Sequence, residues 1–456
     1  MSRQNLTIIA VVIAAGATTG VDAQQRTTPT RTLGPVVSRT TTPVKSAYSI
    51  RPLSDGRVLV SDYTSREVRL FDASLTTSTL IADTANATSI PYGRAALPLI
   101  RYSGDSTILV DNTSFSLLVL DGNGKVARVM AAPRPTDLPM IANVSSAVDG
   151  RGRLIYRGRI QAPMRPPTPG QPFVPPQQPD SGPILRADFE TRTVDTLTYL
   201  RIPKTVTVSQ DMPGGGRRTS GGNPPIASVD DFVIMSDGTI AILRAQDYHV
   251  DWIESDGDRA STPKMQFDWR RLTDEEKQRI IDSAATAQAE RAAKLADQML
   301  AGGTPGGADG AKRAEGEVAA VKMAVSAAGA SGVGERVAVS SAALTPEMLT
   351  ALRTPLVVKF SPSDLPDYYP PIRLGMLRAD LDGNVWVLPT TSALANGGGL
   401  LYDVVNRKGE IVERVQLPPN RTILGFGPGV VYLGVADEKG TFIERVKIAG
   451  GSVVQQ

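Results

Sequence analysis

From Tyr48 onward the chain alternates short apolar runs with polar or glycine-bearing turns. The first unit is a strand starting at Tyr48, a turn at Asp55-Gly56, strands at 57–61 and 67–71 separated by Asp62-Tyr63-Thr64-Ser65, and a fourth strand at 79–82. Runs of this length bounded by tight turns are antiparallel strands, and four in succession make one small sheet. The same order returns around Gly104-Asp105 (strands 107–110, 116–120 and 125–130) and Asp149-Gly150 (153–156, 184–189, 193–200). Further copies surround Asp237-Gly238 (239–243, 249–253 and, more loosely, 264–269), Asp382-Gly383 (384–388, 400–405, 410–417) and Gly427-Pro428-Gly429 (430–435, 441–448). The last unit ends one strand short, and residues 33–41 precede the first unit with no partner of their own. Their pairing with 441–448 would complete the last sheet and cover its edge.

A four-stranded sheet recurring about every 45–50 residues is buried on both faces only when copies stack around an axis, which is a propeller blade. The predicted fold is therefore all-β: a six-bladed β-propeller, interrupted between blades four and five by a helical and disordered insertion. Thr273-Asp274-Glu275-Glu276 has the form of a capping box, and the run to Leu300 lacks Gly and Pro, which predicts a long helix. Its thin seam of Ile281, Ala285, Gln288, Ala292, Leu295 and Met299 suits either a partner-binding arm or a helix on the propeller's flank. Residues 301–343 are rich in Gly, Ala, Ser and Val without period and read as a disordered linker, followed by a short helix at 345–352. Two Pro- and Gly-rich stretches, 161–183 and 211–225, read as surface loops.

The N-terminus changes the picture of where the protein works. After Met-Ser-Arg-Gln-Asn comes an apolar run from Leu6 to Ala17, then Val21-Asp22-Ala23. The run is shorter than the roughly 20 residues that span a bilayer, and small side chains stand before Gln24, so it reads as a cleaved signal peptide. The predicted organisation is a signal peptide over 1–23, a closing strand and blades one to four over 24–269, the insertion over 270–345, and blades five and six over 346–456. A periplasmic or secreted monomer with no transmembrane segment is expected.

These segments resemble a known family. Residues 55–72 (Asp-Gly-Arg-Val-Leu-Val-Ser-Asp-Tyr-Thr-Ser-Arg-Glu-Val-Arg-Leu-Phe-Asp) resemble an NHL-type repeat. Residues 380–387 (Asp-Leu-Asp-Gly-Asn-Val-Trp-Val) resemble the same strand pair in bacterial six-bladed propellers of the NHL and TolB-like kind. The resemblance implies the fold; function is open, since propellers host hydrolases, lyases, lectins and interaction scaffolds alike.

Composition narrows the chemistry. The chain has no Cys and one His, which excludes disulfides, Cys-based zinc or iron–sulfur sites and thiol nucleophiles. Lys and Arg total 49 against 46 Asp and Glu, with no basic block, so no nucleic-acid partner is expected. In this register the loops after the second strands converge on the channel mouth, nominating Asp62, Asp111, Asn112, Arg157, Arg244, Thr390 and Asp437 as ligand-binding residues. A calcium-dependent lactonase-like site would need clustered carboxylates and amides, and Arg157 and Arg244 oppose a metal there, so no metal or cofactor is expected. The two arginines facing Asp62 and Asp111 would suit a zwitterionic or peptide-like ligand, unless those ions pair and close the site. His249 has Asp247 and Asp251 beside it but no Gly-x-Ser-x-Gly elbow accompanies it. Asp121-x-Asn123-Gly124 reads as a hairpin turn, and Tyr48, Tyr63, Trp252, Trp386 and Tyr402 as inter-blade packing. The reading is an exported propeller that binds a protein, peptide or small anionic ligand without chemistry; the alternative is a propeller hydrolase or lyase with a channel-mouth site.

Overall fold

The computed structural model describes residues 28–449 apart from 84–97, 112–113, 161–177, 212–216, 301–333, 339–355, 357 and 395–398. Six small antiparallel sheets stand in a ring, each strand pairing with the next in sequence. Blade one is Ala47–Pro52, Val58–Asp62, Glu67–Phe71 and Ser78–Asp83; blade two is Leu99–Arg101, Thr107–Asp111, Ser116–Leu120 and Val126–Ala131. Blade three is Ala147–Val148, Leu154–Arg157, Ser181–Ala187 and Val194–Arg201; blade four is Asp231–Ile234, Ile240–Arg244, His249–Ile253 and Arg259–Ser261. Blade five is Leu377–Ala379, Val385–Val387, Leu401–Val405 and Ile411–Gln416, and blade six opens with Arg421–Gly427, Val430–Asp437 and Gly440–Lys447. The first strands of blades six, one, two and three lie against one another in turn, as do those of blades four and five.

The period-2 pattern explains the ring. In blade one Val58 and Val60 join an apolar cluster with Tyr432 and Ile443 of blade six, while Leu59 between them joins Leu99 and Leu109 of blade two. Successive side chains of one strand thus bury on opposite faces. The same division recurs at every seam: Tyr156 and Leu185 against Ile108 and Val110, Ile155 and Ile184 against Ile240 and Ile242, Leu243 and Val250 against Val385 and Val387, and Trp386 and Val404 against Ile423 and Leu433. A strand buried on both faces reads as a continuous apolar run, which is why the second strands were so plain in the sequence.

The sixth blade is completed by Val36–Arg39, antiparallel to Gly440–Lys447, with Val36 opposite Val446 and Arg39 opposite Glu444. Thr40 is buried behind it, its hydroxyl accepting the Ile443 N–H at 3.0 Å. A short strand at Thr30–Thr32 runs parallel to Ile411–Gln416 and gives blade five a fifth strand, which nothing in the sequence pattern signalled.

The structure corrects three expectations. The fourth strand of blade four is Arg259–Ser261 and not 264–269, because Trp252 pairs with Ala260 directly across the Asp256-Gly257 turn. The Gly/Pro-rich stretch 211–225 contains a strand, Arg217–Gly222, which pairs with Val206–Asp211. Gly334–Ala338, inside the segment read as disordered, adds a third strand to that hairpin, so backbone pairing supplies order where side-chain pattern is absent. The expected helix at 345–352 lies outside the described residues.

Helix Asp274–Leu300 begins on the anticipated capping box: the Glu276 N–H reaches the Thr273 hydroxyl at 3.2 Å and the Thr273 N–H reaches Glu276 Oε2 at 3.0 Å. Its first turns are docked by buried Leu272, Lys277 and Ile281, with Lys277 Nζ 2.7 Å from Asp367 Oδ1. No helix among the described residues is long and apolar enough to cross a membrane.

Candidate functional site

Second strands end, and first strands begin, on the same face of the ring, as Ala47 opposite Asp62 and Asp231 opposite Leu243 show. That topology brings Asp62, Asp111, Arg157, Arg244 and Asp437, the last residues of their second strands, to this face. What each does there differs.

Asp62 is buried and accepts backbone N–H groups from Lys45 (2.7 Å), Ser46 (3.1 Å), Thr64 (3.0 Å) and Ser65 (3.1 Å), so it organises its own strand-end turn. Asp111 accepts the Ser114 hydroxyl at 2.5 Å, and Asp437 accepts the N–H groups of Lys439 and Gly440. Asn112 lies outside the described residues. Thr390 donates its hydroxyl to the Pro370 carbonyl at 2.6 Å. Asp121 takes the Asn123 and Lys125 N–H groups at 2.8 and 2.9 Å, the hairpin turn expected of it. Trp252, Trp386 and Tyr402 are buried at seams, whereas Tyr63 is exposed.

Arg157 and Arg244 are each held by partners the pattern did not suggest. Arg157 Nη2 meets Asp231 Oδ1 at 2.6 Å and its guanidinium lies over the Phe232 ring. Asp231 also accepts the N–H groups of Gly375 (2.8 Å) and Met376 (3.1 Å), linking blades three, four and five. Arg244 contacts Asp230 Oδ2 at 2.8 Å and Asp251 Oδ2 at 2.7 Å, and donates to the Tyr199 carbonyl. The arginines are thus paired with Asp230, Asp231 and Asp251, not with Asp62 or Asp111. The adjacent Asp230-Asp231 at the entry of an inner strand was the available signal.

Electrostatically the two pairs differ. Burial dominates at the first: it raises the Asp231 pKa and lowers that of Arg157, with each partner's charge opposing the shift. At the second, burial also disfavours both charges but is outweighed. Hydrogen bonds to Ser261 and Arg244 hold Asp251 below the usual carboxylate range, and those to Asp251 and Asp230 raise Arg244.

Beside Arg244 an open cleft of about 360 Å³ separates blades three and four, lined by Asp180, Arg201, Asp230, Arg244, Gln246 and His249, with Asp251 in its wall. His249 Nε2 stands 3.2 Å from Asp251 Oδ1, and Arg201 donates to Gln246 at 2.5 Å. Among the described residues no three His, Asp or Glu side chains converge as a metal site would require. The cleft can offer carboxylate and guanidinium groups whose geometry is already fixed by their mutual bonds.

No protein-family model matches the chain, and no curated protein matches it. Among solved structures, the chain is similar to virginiamycin B lyase from Staphylococcus aureus, at 9% identity and a TM-score of 0.36 over 90% of this chain and 97% of that one. It is also similar to regucalcin, a calcium-binding protein from Agrobacterium tumefaciens, at 11% identity and a TM-score of 0.35 over 93% and 99%. A member of the DUF4221 family from Bacteroides vulgatus is similar at 9% identity and a TM-score of 0.38 over 92% and 97%.

Proposed function

We propose that the chain is an exported β-propeller binding protein of the NHL and TolB-like kind, which recognises a polar, peptide-like ligand at the cleft between blades three and four. The observation that carries this reading is the fixed alternation of charge there: Arg244 is held by Asp230 and Asp251, Arg201 by Gln246, and Asp180 stands exposed across from them. Groups already oriented lose little freedom when a ligand's ammonium and carboxylate ends meet them. Calorimetry with short peptides and small carboxylates tests it. Saturable heat in the wild type that is lost in Gln246→Ala and Arg201→Ala supports the reading; heat unchanged by both variants removes it. Export is checked by N-terminal sequencing of the secreted form, expected to start at Gln24.

One observation favours a second reading, a hydrolase or lyase. The chain's single histidine faces this cleft with Asp251 at 3.2 Å, the arrangement of an oriented general base. Turnover of an ester, lactone or lyase substrate abolished by His249→Ala would favour it over binding alone.

A further inference from the structure

We infer that the opposite face of the ring binds an oxyanion of the carboxylate or phosphate class at the seam of blades one and two, clamped by Arg51 and Arg101. The inner strands Ala47–Pro52 and Leu99–Arg101 run side by side, with the Leu99 N–H donated to the Ser49 hydroxyl at 3.1 Å. Two residues further along each strand stand Arg51 and Arg101, so the same register that joins Ser49 to Leu99 brings both residues to one end of this seam. Both strands end there, at the turns that join the first and second strands.

Arg51 is 7% exposed, yet among the described residues no carboxylate makes an ion pair with it. Its Nη2 donates to the Gly104 carbonyl at 2.7 Å, its Nη1 donates to the Pro52 carbonyl, and its buried Nε has no partner. Asp105 exerts its charge on Arg51, but its oxygens are taken by the Ser54 N–H (2.8 Å) and hydroxyl (2.5 Å). Arg57, the other cation at this turn, is occupied by Asp55 at 2.6 Å. Arg101 is exposed and makes no ion pair among the described residues. A buried guanidinium with no ion pair, whose nearby acid Asp105 is bound by Ser54 and whose neighbouring strand carries a second cation, is an expensive arrangement unless an anion completes it. Consistent with that, burial and then the charge of Arg101 lower the Arg51 pKa to about 10, against the pull of Asp105. Planar donors in pairs match the oxygens of carboxylate and phosphate, which chloride cannot engage in the same way.

The experiment is thermal unfolding of the mature chain in inorganic phosphate, in acetate and in chloride at matched ionic strength, for the wild type, Arg101→Ala and Gln246→Ala. The expected result is a Tm increment in phosphate or acetate over chloride that saturates with concentration, is lost in Arg101→Ala and is kept in Gln246→Ala. Which oxyanion acts at the lower concentration identifies the source of the ligand. Equal Tm in all three salts, or an increment undiminished in Arg101→Ala, overturns the inference. Arg101 is exposed, so its removal leaves the fold intact. Arg51→Lys, which keeps the charge but not the fork, is expected to weaken the response and gives a second check that the clamp and not bulk salt is at work. Because the cleft variant Gln246→Ala is carried in parallel, failure here leaves the peptide-like ligand of the other face untouched.

Discussion

At the scale of single residues, the working groups of this propeller are charges whose partners come from other blades. Asp231 is 2% exposed and depends on Arg157 for its counter-charge. Removing one member of a buried pair strands the other, at about 3–5 kcal/mol. Arg157→Ala is therefore expected to shift the urea midpoint strongly downward, and Asp231→Asn in the same chain to restore part of the loss; an unchanged midpoint would show the pair to be dispensable. Asp251 predicts the response to acid. Its pKa lies below the ordinary 3.8, so the stability it contributes is present above that value and is lost as pH falls through the folded-state pKa. Asp231 acts with the opposite sign: its pKa is raised, so its contribution is present below 3.8 and is lost as pH rises through the folded value. Unfolding measured from neutral pH down to pH ~2 is expected to show a shallower acid loss in Asp251→Asn than in the wild type. What was legible at this scale was the turn chemistry, as at Asp121, because an Asx turn closes within a few residues. The partners of Arg157 and Arg244 were not, since pairing across seams leaves no local spacing to read.

At the scale of elements, the helix between blades four and five divides into a docked start and a remainder. Leu272, Lys277 and Ile281 are buried, the Leu272 N–H is donated to the Asp367 carbonyl at 2.8 Å, and Arg271 bridges to Tyr368. Replacing residues 290–333 by a Gly/Ser linker is expected to leave the cooperative unfolding of the ring unchanged, since it spares these contacts and the strand Gly334–Ala338. Carrying the cut back to residue 270 is expected to lower the Tm, because three buried side chains and the Lys277–Asp367 pair go with it; circular dichroism melts of the two variants separate the cases. The helix and its capping box were plain in the sequence because both are local. The sheet of Val206–Asp211, Arg217–Gly222 and Gly334–Ala338 was hidden, because its middle strand is polar and its third comes from a distant part of the chain.

At the scale of the whole molecule, stability rests on closing a ring. Each blade contributes its two faces to two apolar clusters, so opening any seam exposes both walls. The last blade is closed by the strand Val36–Arg39, and Arg31 adds a clasp: its Nε and Nη2 lie 2.6 and 2.7 Å from the two oxygens of Glu413 in blade five, and its Nη1 reaches the Ile448 carbonyl of blade six. Deleting residues 33–41 is expected to bare the edge of Gly440–Lys447 and to cause a large fall in Tm or aggregation, read by scanning calorimetry and light scattering. A variant that stays monodisperse with an unaltered melt would show that the ring closes without its strap.

The sequence by itself determined the blades and their number. Strand alternation, Asp-Gly turns and buried runs such as Val58–Asp62 and Thr107–Asp111 are consequences of what each residue can do within one hairpin, and they recur with every copy. Tertiary structure decided which charges meet. The nominated Asp62 became a turn organiser, Arg157 and Arg244 were drawn to Asp230, Asp231 and Asp251, and Arg51 was buried with its Nε unpartnered among the described residues. The physical reason is one of range: hydrogen bonds that build a strand or a turn are settled by neighbours along the chain, whereas an ion finds its partner only after the ring has closed and brought separate blades within a few ångströms.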